Sequence, residues 1–340
     1  MGREKNHDIR LKSHPSGLPT PDNFELVESE IPSPGYGQVL VRNLYMSVDP
    51  YMRGRMNDRK SYVAPFQIGE VLQGGAVGKV VAANGNSRFR EGDTVLSMYG
   101  WREWFVSDGE GLRAVDASAV PLQSYLGALG MPGLTAYVGL LQIGELKAED
   151  RVLVSAAAGA VGSIACQIAR NQGCEIVVGM AGTAEKCAFL TERLGLSAAI
   201  NYREAEALPA VIGEAMPGGV DLYFDNVGGS QLEAALDNMR QEGRIVACGF
   251  IEQYNATEPP RGPRNLMNVI SRRLTMKGFI VSDHFDLLDR FTREMTEWIV
   301  DGRMMWREMV YDGIARAPEA LIGLFSGANF GKALVKLGEE

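Results

Sequence analysis

The residues best suited to chemistry sit in two short runs. The first, Ser155-Ala-Ala-Ala-Gly-Ala-Val-Gly-Ser163, follows an apolar β-branched segment and leads into an apolar-periodic helix, so residues 151–170 read as strand, tight turn and helix. Gly159 and Gly162 stand three apart at that turn. Small side chains there let the backbone approach a pyrophosphate, and the helix N-terminus offers N–H groups and the positive end of its dipole to the anion. The first glycine of the G-x-G-x-x-G pattern is replaced by Ala157, so a plain packing turn is the competing reading. The second run, Val48-Asp-Pro-Tyr-Met-Arg-Gly-Arg55, ends a strand with a proline, a tyrosine and two arginines. Function concentrates in such loops, although a solvated turn whose tyrosine covers apolar surface would look the same.

The surroundings of the glycine turn favour a dinucleotide. A second buried strand, Glu175-Ile-Val-Val-Gly-Met180, completes a βαβ unit. About twenty residues past the glycines, where an NAD site usually carries an acid, the strand end Gly179-Met-Ala-Gly182 has none. Lys186 lies just beyond and could pair with a 2′-phosphate, so NADP (NADPH) is favoured over NAD. An ordinary solvated helix lysine is the alternative.

At 340 residues the chain is too long for one comfortable core, and 46% apolar with 22% charged residues is globular composition. A net charge of −8 argues against a nucleic-acid partner. Two uncharged stretches, residues 117–144 and 152–169, carry glycines and amides and fit buried α/β interior better than lipid. With no apolar signal region at the start, the expectation is a soluble cytoplasmic protein without a membrane partner. Cysteines 166, 174, 187 and 248 lack C-x-x-C spacing, and His7, His14 and His284 are scattered, so no metal site is expected.

Residues 1 to about 115 read as short strands near residues 8–12, 24–27, 38–44, 70–82, 94–97 and 104–106, an antiparallel β domain. Residues 117–144 read as two helical pieces broken at Met131-Pro-Gly133. From Arg151 strands near Val152, Ile176, Ala199, Asp221, Ile245 and Met276 alternate with helices near Ile164, Cys187, Val211, Leu232 and Asn268, which is α/β with a doubly wound parallel sheet. A helix over 285–300 follows. The tail then returns to strand, helix and strand and is expected to rejoin the β domain. The expected division is therefore residues 1–130 and 304–340 for the β domain and 131–303 for the dinucleotide domain.

Seven motifs in order carry a family resemblance: Val48-Asp-Pro-Tyr-Met-Arg53, Met131-Pro-Gly-Leu-Thr-Ala-Tyr137, residues 156–163, Ala181-Gly-Thr-Ala-Glu-Lys186, Phe224-Asp-Asn-Val-Gly-Gly229, Cys248-Gly-Phe-Ile-Glu-Gln-Tyr254 and Asn329-Phe-Gly-Lys332. Together they resemble the zinc-independent branch of the medium-chain dehydrogenase/reductase superfamily, in particular its leukotriene dehydrogenase/prostaglandin reductase group with alkenal double-bond and curcumin reductases. The resemblance implies a GroES-like β domain, a Rossmann domain and NADPH in the cleft between them. It maps cofactor contacts onto Gly159, Ala160, Val161, Gly162, Lys186, Tyr202, Asn226, Cys248, Gly249, Phe250, Ile251, Tyr254, Phe279, Ile280, Val281 and Asn329. For Asn226 and Asn329, turn residues capping their own backbone are the alternative.

Zinc members hold a catalytic metal on Cys and His in the β domain. Residues 1–130 contain no cysteine, and Ile68-Gly-Glu70 has no histidine, which disfavours zinc-assisted carbonyl reduction. Reduction of an activated C=C bond remains, with hydride delivered to the β carbon of an enal or enone. The enolate that forms needs a donor, and the resemblance places Tyr51 and Tyr254 near the cleft as catalytic candidates. Tyr254 could instead hold the nicotinamide ribose. Tyr51 and Tyr62 are the substrate-binding candidates. Met52, Met56, Phe66 and Trp101 would line the opening with Tyr62 for a bulky apolar or aromatic enone, or they are ordinary core. An NADPH:quinone reductase and a non-catalytic NADPH-binding or sensor protein are the rivals. Homodimerisation is the family's expectation, through an exposed strand edge near Phe279.

Overall fold

Alternation of buried and half-buried side chains along Gln38–Ser47 makes that segment the central strand of the first of two units. The computed structural model describes residues 5–116, 118 and 120–339. One unit takes the chain to Leu126, then residues 308–329 and 333 onward; the other takes residues 127–307 and 330–332.

The first unit is antiparallel. A hairpin joins β1 (Lys5–Leu11) to β2 (Phe24–Glu30). The larger sheet is built from β3 (Gln38–Ser47), β4 (Ala76–Asn84), β5 (Thr94–Ser97), β6 (Trp104–Ser107) and β7 (Arg113–Ala114). Residues 70–75 do not extend β4 as their composition suggested. The backbone of residues 70–72 turns to β1 instead, with Leu11 N donating to Glu70 O (3.2 Å) and Leu72 N to Ile9 O (3.0 Å), while Gly74 N donates to Met98 O (3.2 Å) and Gly75 O accepts from Ser47 N (2.8 Å). Gly78 sits at a register shift between β3 and β4, where a Cβ would meet Arg42 O at 2.5 Å. Between β3 and β4, the one-turn α1 (Tyr51–Arg55) follows Pro50.

The second unit carries β8 (Val152–Val154), β9 (Val177–Ala181), β10 (Ala198–Asn201), β11 (Val220–Asp225), β12 (Met239–Ala247) and β13 (Thr275–Gly278). They lie in the order β10-β9-β8-β11-β12-β13, every pair parallel. This is the doubly wound arrangement, whose ligand crevice lies beyond the carboxyl ends of β8 and β11, where the strand order reverses. Its helices are α2 (Met131–Tyr137), α3 (Ala160–Asn171), α4 (Ala184–Ala188), α5 (Leu208–Ala215), α6 (Gly229–Leu236), α7 (Met267–Ser271) and α8 (Leu288–Val300).

The expected break at Met131-Pro-Gly133 is absent. Pro132 lies in the first turn of α2, where its missing N–H has no helical partner to lose, so it opens the helix. The piece expected before it is a 3-10 turn, Leu122–Leu126; Ala117 and Ala119 lie outside the described residues. Pro132 is followed by Gly133, where a Cβ would be 1.9 Å from Ala128 O. In the tail, β14 (Glu308–Asp312) and β15 (Lys332–Lys336) flank α9 (Ala317–Ser326), and β15 pairs with β3. Among the described residues no helix is long and apolar enough to cross a membrane.

Candidate active site

The glycine turn is shaped by its own carbonyls. Ala156 adopts φ +47°, a left-handed conformation that costs an L-residue about 1–2 kcal/mol. Its oxygen then lies where side chains on the following helix would go. A Cβ on Gly162 would stand 2.3 Å from Ala156 O, and one on Gly159 3.1 Å from the same atom. Ala157 fits in place of the first glycine because β9 gives way: a Cβ on Gly179 would stand 2.7 Å from Ala157 Cβ. Gly159 is the N-cap residue of α3, and the first helical bond runs from Ser163 N to Gly159 O (3.0 Å). The N–H groups of Ala160, Val161 and Gly162 therefore precede the ladder and are free to face an anion.

The tail motif closes on this turn through a glycine. Gly331 bridges Gly159, and its N–H donates to Ala158 O at 2.9 Å. At φ +74° and with a Cβ position 2.0 Å from Arg307 O, only glycine fits. Asn329, two residues earlier, ends the preceding segment of the β unit.

Beyond β9 and β10, cationic and phenolic groups converge on Gly182. A Cβ there would be 3.1 Å from Tyr202 Oη and 3.2 Å from Arg203 Nε. Thr183 caps α4 by accepting from Lys186 N at 3.2 Å, which sets the start of the turn carrying Lys186. Burial first, and the Arg203 charge second, hold the Lys186 ammonium below the usual lysine range. Two cations crowded beside a tyrosine hydroxyl and a bare glycine fit a phosphate group, whose charge would relieve the crowding. Arg203 escaped the sequence reading. Its position directly after Tyr202, at a strand end, was the available signal.

At the switch point a buried network ties β8 to β11. Asp225 Oδ1 accepts from Ser155 Oγ (3.0 Å), Tyr223 Oη (2.9 Å), Val227 N (3.0 Å) and Gly228 N (3.0 Å). Burial still raises the Asp225 pKa, and its Oδ2 has no partner. Asn226 Nδ2 donates to Ser155 O at 2.8 Å, so it caps the neighbouring strand rather than its own turn. Cys248 and Gly249 both donate their N–H groups to Asp225 O, at 2.9 and 3.1 Å. Phe250 packs on Gly228, and Tyr254, at the end of the 3-10 turn Ile251–Gln253, brings its hydroxyl to Gly249, where a Cβ would be 3.3 Å away. Past β13, the Phe279 ring approaches Gly139, and Ile280 precedes the 3-10 helix that starts at Val281. The Rossmann candidates other than Asn329 thus belong to one unit, most of them at strand ends on its carboxyl side.

Tyr51 opens α1 in the β unit. Its Oη is buried without a hydrogen-bond partner, and burial pushes its pKa well up, with Asp49 adding to the shift and Arg55 opposing it. Tyr62 is 63% exposed. Met52, Met56, Phe66 and Trp101 are core and do not line an opening: all are at most 4% exposed, packed with Ile9, Leu11, Phe24 and Leu72. Gly74 explains the fit, since a Cβ there would be 2.3 Å from Met52 Cε and 3.3 Å from Trp101 Nε1. His7 pairs with Glu103 and His14 with Met56 O, and among the described residues no three His, Cys, Asp or Glu side chains are grouped to hold a metal ion.

Two family models match the chain: "N-terminal domain of oxidoreductase" over residues 7–115 and "Zinc-binding dehydrogenase" over residues 160–301. The NADPH-dependent curcumin reductase of Escherichia coli is 42% identical, covering 100% of each chain. The NADP-dependent 2-alkenal reductase of Nicotiana tabacum is 40% identical over 98% of each. Among solved structures, CurA of Vibrio vulnificus in complex with NADPH superposes with a TM-score of 0.92 at 42% identity, covering 98% of this chain and 100% of that one.

Proposed function

Because this chain belongs to the zinc-independent medium-chain dehydrogenase/reductase family, in its curcumin and alkenal reductase group, we propose that it uses NADPH to reduce the C=C bond of α,β-unsaturated aldehydes and ketones. The observation that carries this reading is the Tyr51 hydroxyl, a buried donor with no acceptor. A developing enolate oxygen supplies the missing acceptor, and such a contact is worth more in the product-like state than with the neutral carbonyl.

NADPH, when bound, supplies the hydride. The Ala160, Val161 and Gly162 amides hold its pyrophosphate, and Lys186, Tyr202 and Arg203 hold its 2′-phosphate. Asn226, Cys248, Gly249, Phe250, Ile251, Tyr254, Phe279, Ile280, Val281 and Asn329 border the remainder. Tyr51 donates to the carbonyl oxygen of the substrate, with Tyr254 as a second donor or as a ribose contact. Tyr62, exposed and eleven residues after Tyr51, meets a small apolar or aromatic substrate.

We also propose a homodimer acting in the cytoplasm. β13 is an edge strand whose four residues are all exposed, and Met267 (70% exposed) and Ile270 (72% exposed) present apolar surface on the helix before it. A two-fold pairing of this edge would remove both liabilities. The activity is tested by following NADPH absorbance with open-chain enals, enones and quinones. Consumption with enals and enones is expected; turnover of quinones alone, or tight NADPH binding without any oxidation, overturns the assignment. Sedimentation equilibrium checks the subunit number, and a monomer at micromolar concentration refutes the edge pairing.

A further inference from the structure

The Val48-Asp-Pro-Tyr-Met-Arg-Gly-Arg55 run holds two buried arginines with different occupations. Arg53 holds a backbone carbonyl and a side-chain amide: its Nη2 donates to Gly17 O at 2.8 Å, which pins the segment before β2, and its Nη1 donates to Asn57 Oδ1 at 2.7 Å. Arg55 is 7% exposed and takes no carboxylate. Its Nε donates to Ala64 O (2.8 Å), its Nη2 to Gln73 Oε1 (2.9 Å), and its guanidinium lies 4.0 Å over the Phe66 ring. All of these partners are neutral. A desolvated cation without a counter-anion is expensive to keep and favours any step that places negative charge beside it.

The neighbour that can carry that charge is Tyr51. Tyr51 and Arg55 stand at i and i+4 of α1, so their side chains leave one face of the helix. Of the charged and titratable groups that face the Tyr51 hydroxyl, Asp49 and Tyr62 make its ionisation harder, and Arg55 makes it easier. The same Arg55 side chain clamps Ala64 and Phe66 to α1, a clamp reinforced by Phe66 N donating to Arg55 O at 2.7 Å. That segment directly follows Tyr62.

We propose that Arg55 is a positioning residue for the reduction, fixing the 62–66 segment against α1 and supplying the positive charge that steadies the Tyr51 oxygen as its proton leaves. The inference rests on the ene-reductase reading above. Once the β carbon has gained hydride, the former C=C electron pair resides on the enolate. The Tyr51 O–H bond then breaks, its proton passes to the enolate, its electron pair stays on the phenolic oxygen beside Arg55, and water restores the proton.

The test is Arg55→Met, which keeps a stem over Phe66 and loses the charge, against Arg55→Lys, which keeps the charge and loses the fork, each in the wild-type and Tyr51→Phe backgrounds. With an enone that the wild type reduces, Arg55→Met is expected to lower kcat about tenfold or more while KM for NADPH stays within about twofold. The solvent deuterium isotope effect on kcat is expected to rise, because protonation becomes slower, and Arg55→Lys to recover most of the rate. In the Tyr51→Phe background Arg55→Met is expected to cost less than about twofold more. Equal losses in Arg55→Met and Arg55→Lys with an unchanged isotope effect, or a full Arg55→Met loss on top of Tyr51→Phe, overturn the inference and leave a scaffold residue. Should Arg55→Met fail to fold by circular dichroism, Arg55→Gln takes its place in the same contrast. A wild type inert to all enones sinks the ene-reductase reading and this inference together; an active wild type with additive variants sinks this inference alone.

Discussion

Lys186→Ala and Arg203→Ala each remove one of the two cations beside Gly182 and Tyr202, and the effect on NADPH can be worked from their surroundings. Each cation offers a charge-assisted hydrogen bond to a phosphate, worth about 1.5–3 kcal/mol, which is roughly a ten- to hundredfold rise in the NADPH Michaelis constant. The two losses do not multiply. Arg203 holds the Lys186 pKa down, so deleting Arg203 removes a repulsion and leaves Lys186 a better partner. The double variant, with no cation left to compensate, is therefore expected to lose more than the product of the single losses. NADH lacks the phosphate, and its kcat/KM is expected to stay within about twofold in all three variants. The preference should also depend on pH. A phosphate monoester loses its second proton near pH 6, so as pH falls through about 6 the group sheds one negative charge and the NADPH-to-NADH ratio narrows. Steady-state rates with a saturating enone and varied cofactor decide the matter. Equal losses with NADH and NADPH in Lys186→Ala would place that side chain on an ordinary solvated surface and refute the phosphate assignment.

Three further outcomes are expected. Tyr51→Phe should lower kcat about a hundred- to a thousandfold on an enone, and turnover unchanged in both Tyr51→Phe and Tyr254→Phe would mean that solvent alone meets the enolate. Gly162→Ala, with its Cβ 2.3 Å from Ala156 O, should destabilise the fold by about 1–3 kcal/mol in urea unfolding and weaken NADPH binding; a variant as stable and as tightly binding as the parent refutes the close-turn argument. Burial first and Asp225 second push the Cys248 thiol up to about 12, so it stays protonated at pH 8 and should resist iodoacetamide in the native protein. Modification of Cys248 within minutes, read by peptide mass analysis, would contradict that.

The strand and helix alternation after Arg151 was legible because each strand is a short apolar run bounded by small residues, and each connecting helix has its own period. What escaped were features decided by neighbours distant in sequence. Residues 70–72 have strand composition, yet their partners are the carbonyl of Ile9 and the amide of Leu11. Met52, Met56, Phe66 and Trp101 look equally suited to a pocket and a core, and a bare Gly74 between two of them selects the core. Pro132 was misread because proline interrupts a helix everywhere except in its first turn.

The same dependence explains why the glycine turn looks degenerate in sequence but not in space. A glycine-rich fingerprint is a way of keeping Cβ atoms out of a small volume, and the volume can be cleared from either side. Here Ala157 keeps its methyl group and Gly179, on the adjacent strand, gives up its own. The exchange predicts an asymmetry. Ala157→Gly should be accommodated with loss of under about 1 kcal/mol, the entropic cost of glycine, because it merely leaves space. Gly179→Ala should cost more, since its new methyl would stand 2.7 Å from Ala157 Cβ and 2.9 Å from Leu190 Cδ1. The double variant Ala157→Gly/Gly179→Ala should then recover part of that loss, because the clash with residue 157 is gone while the one with Leu190 stays. Urea unfolding of the four proteins measures it, and strictly additive losses would mean that the two positions do not share the space.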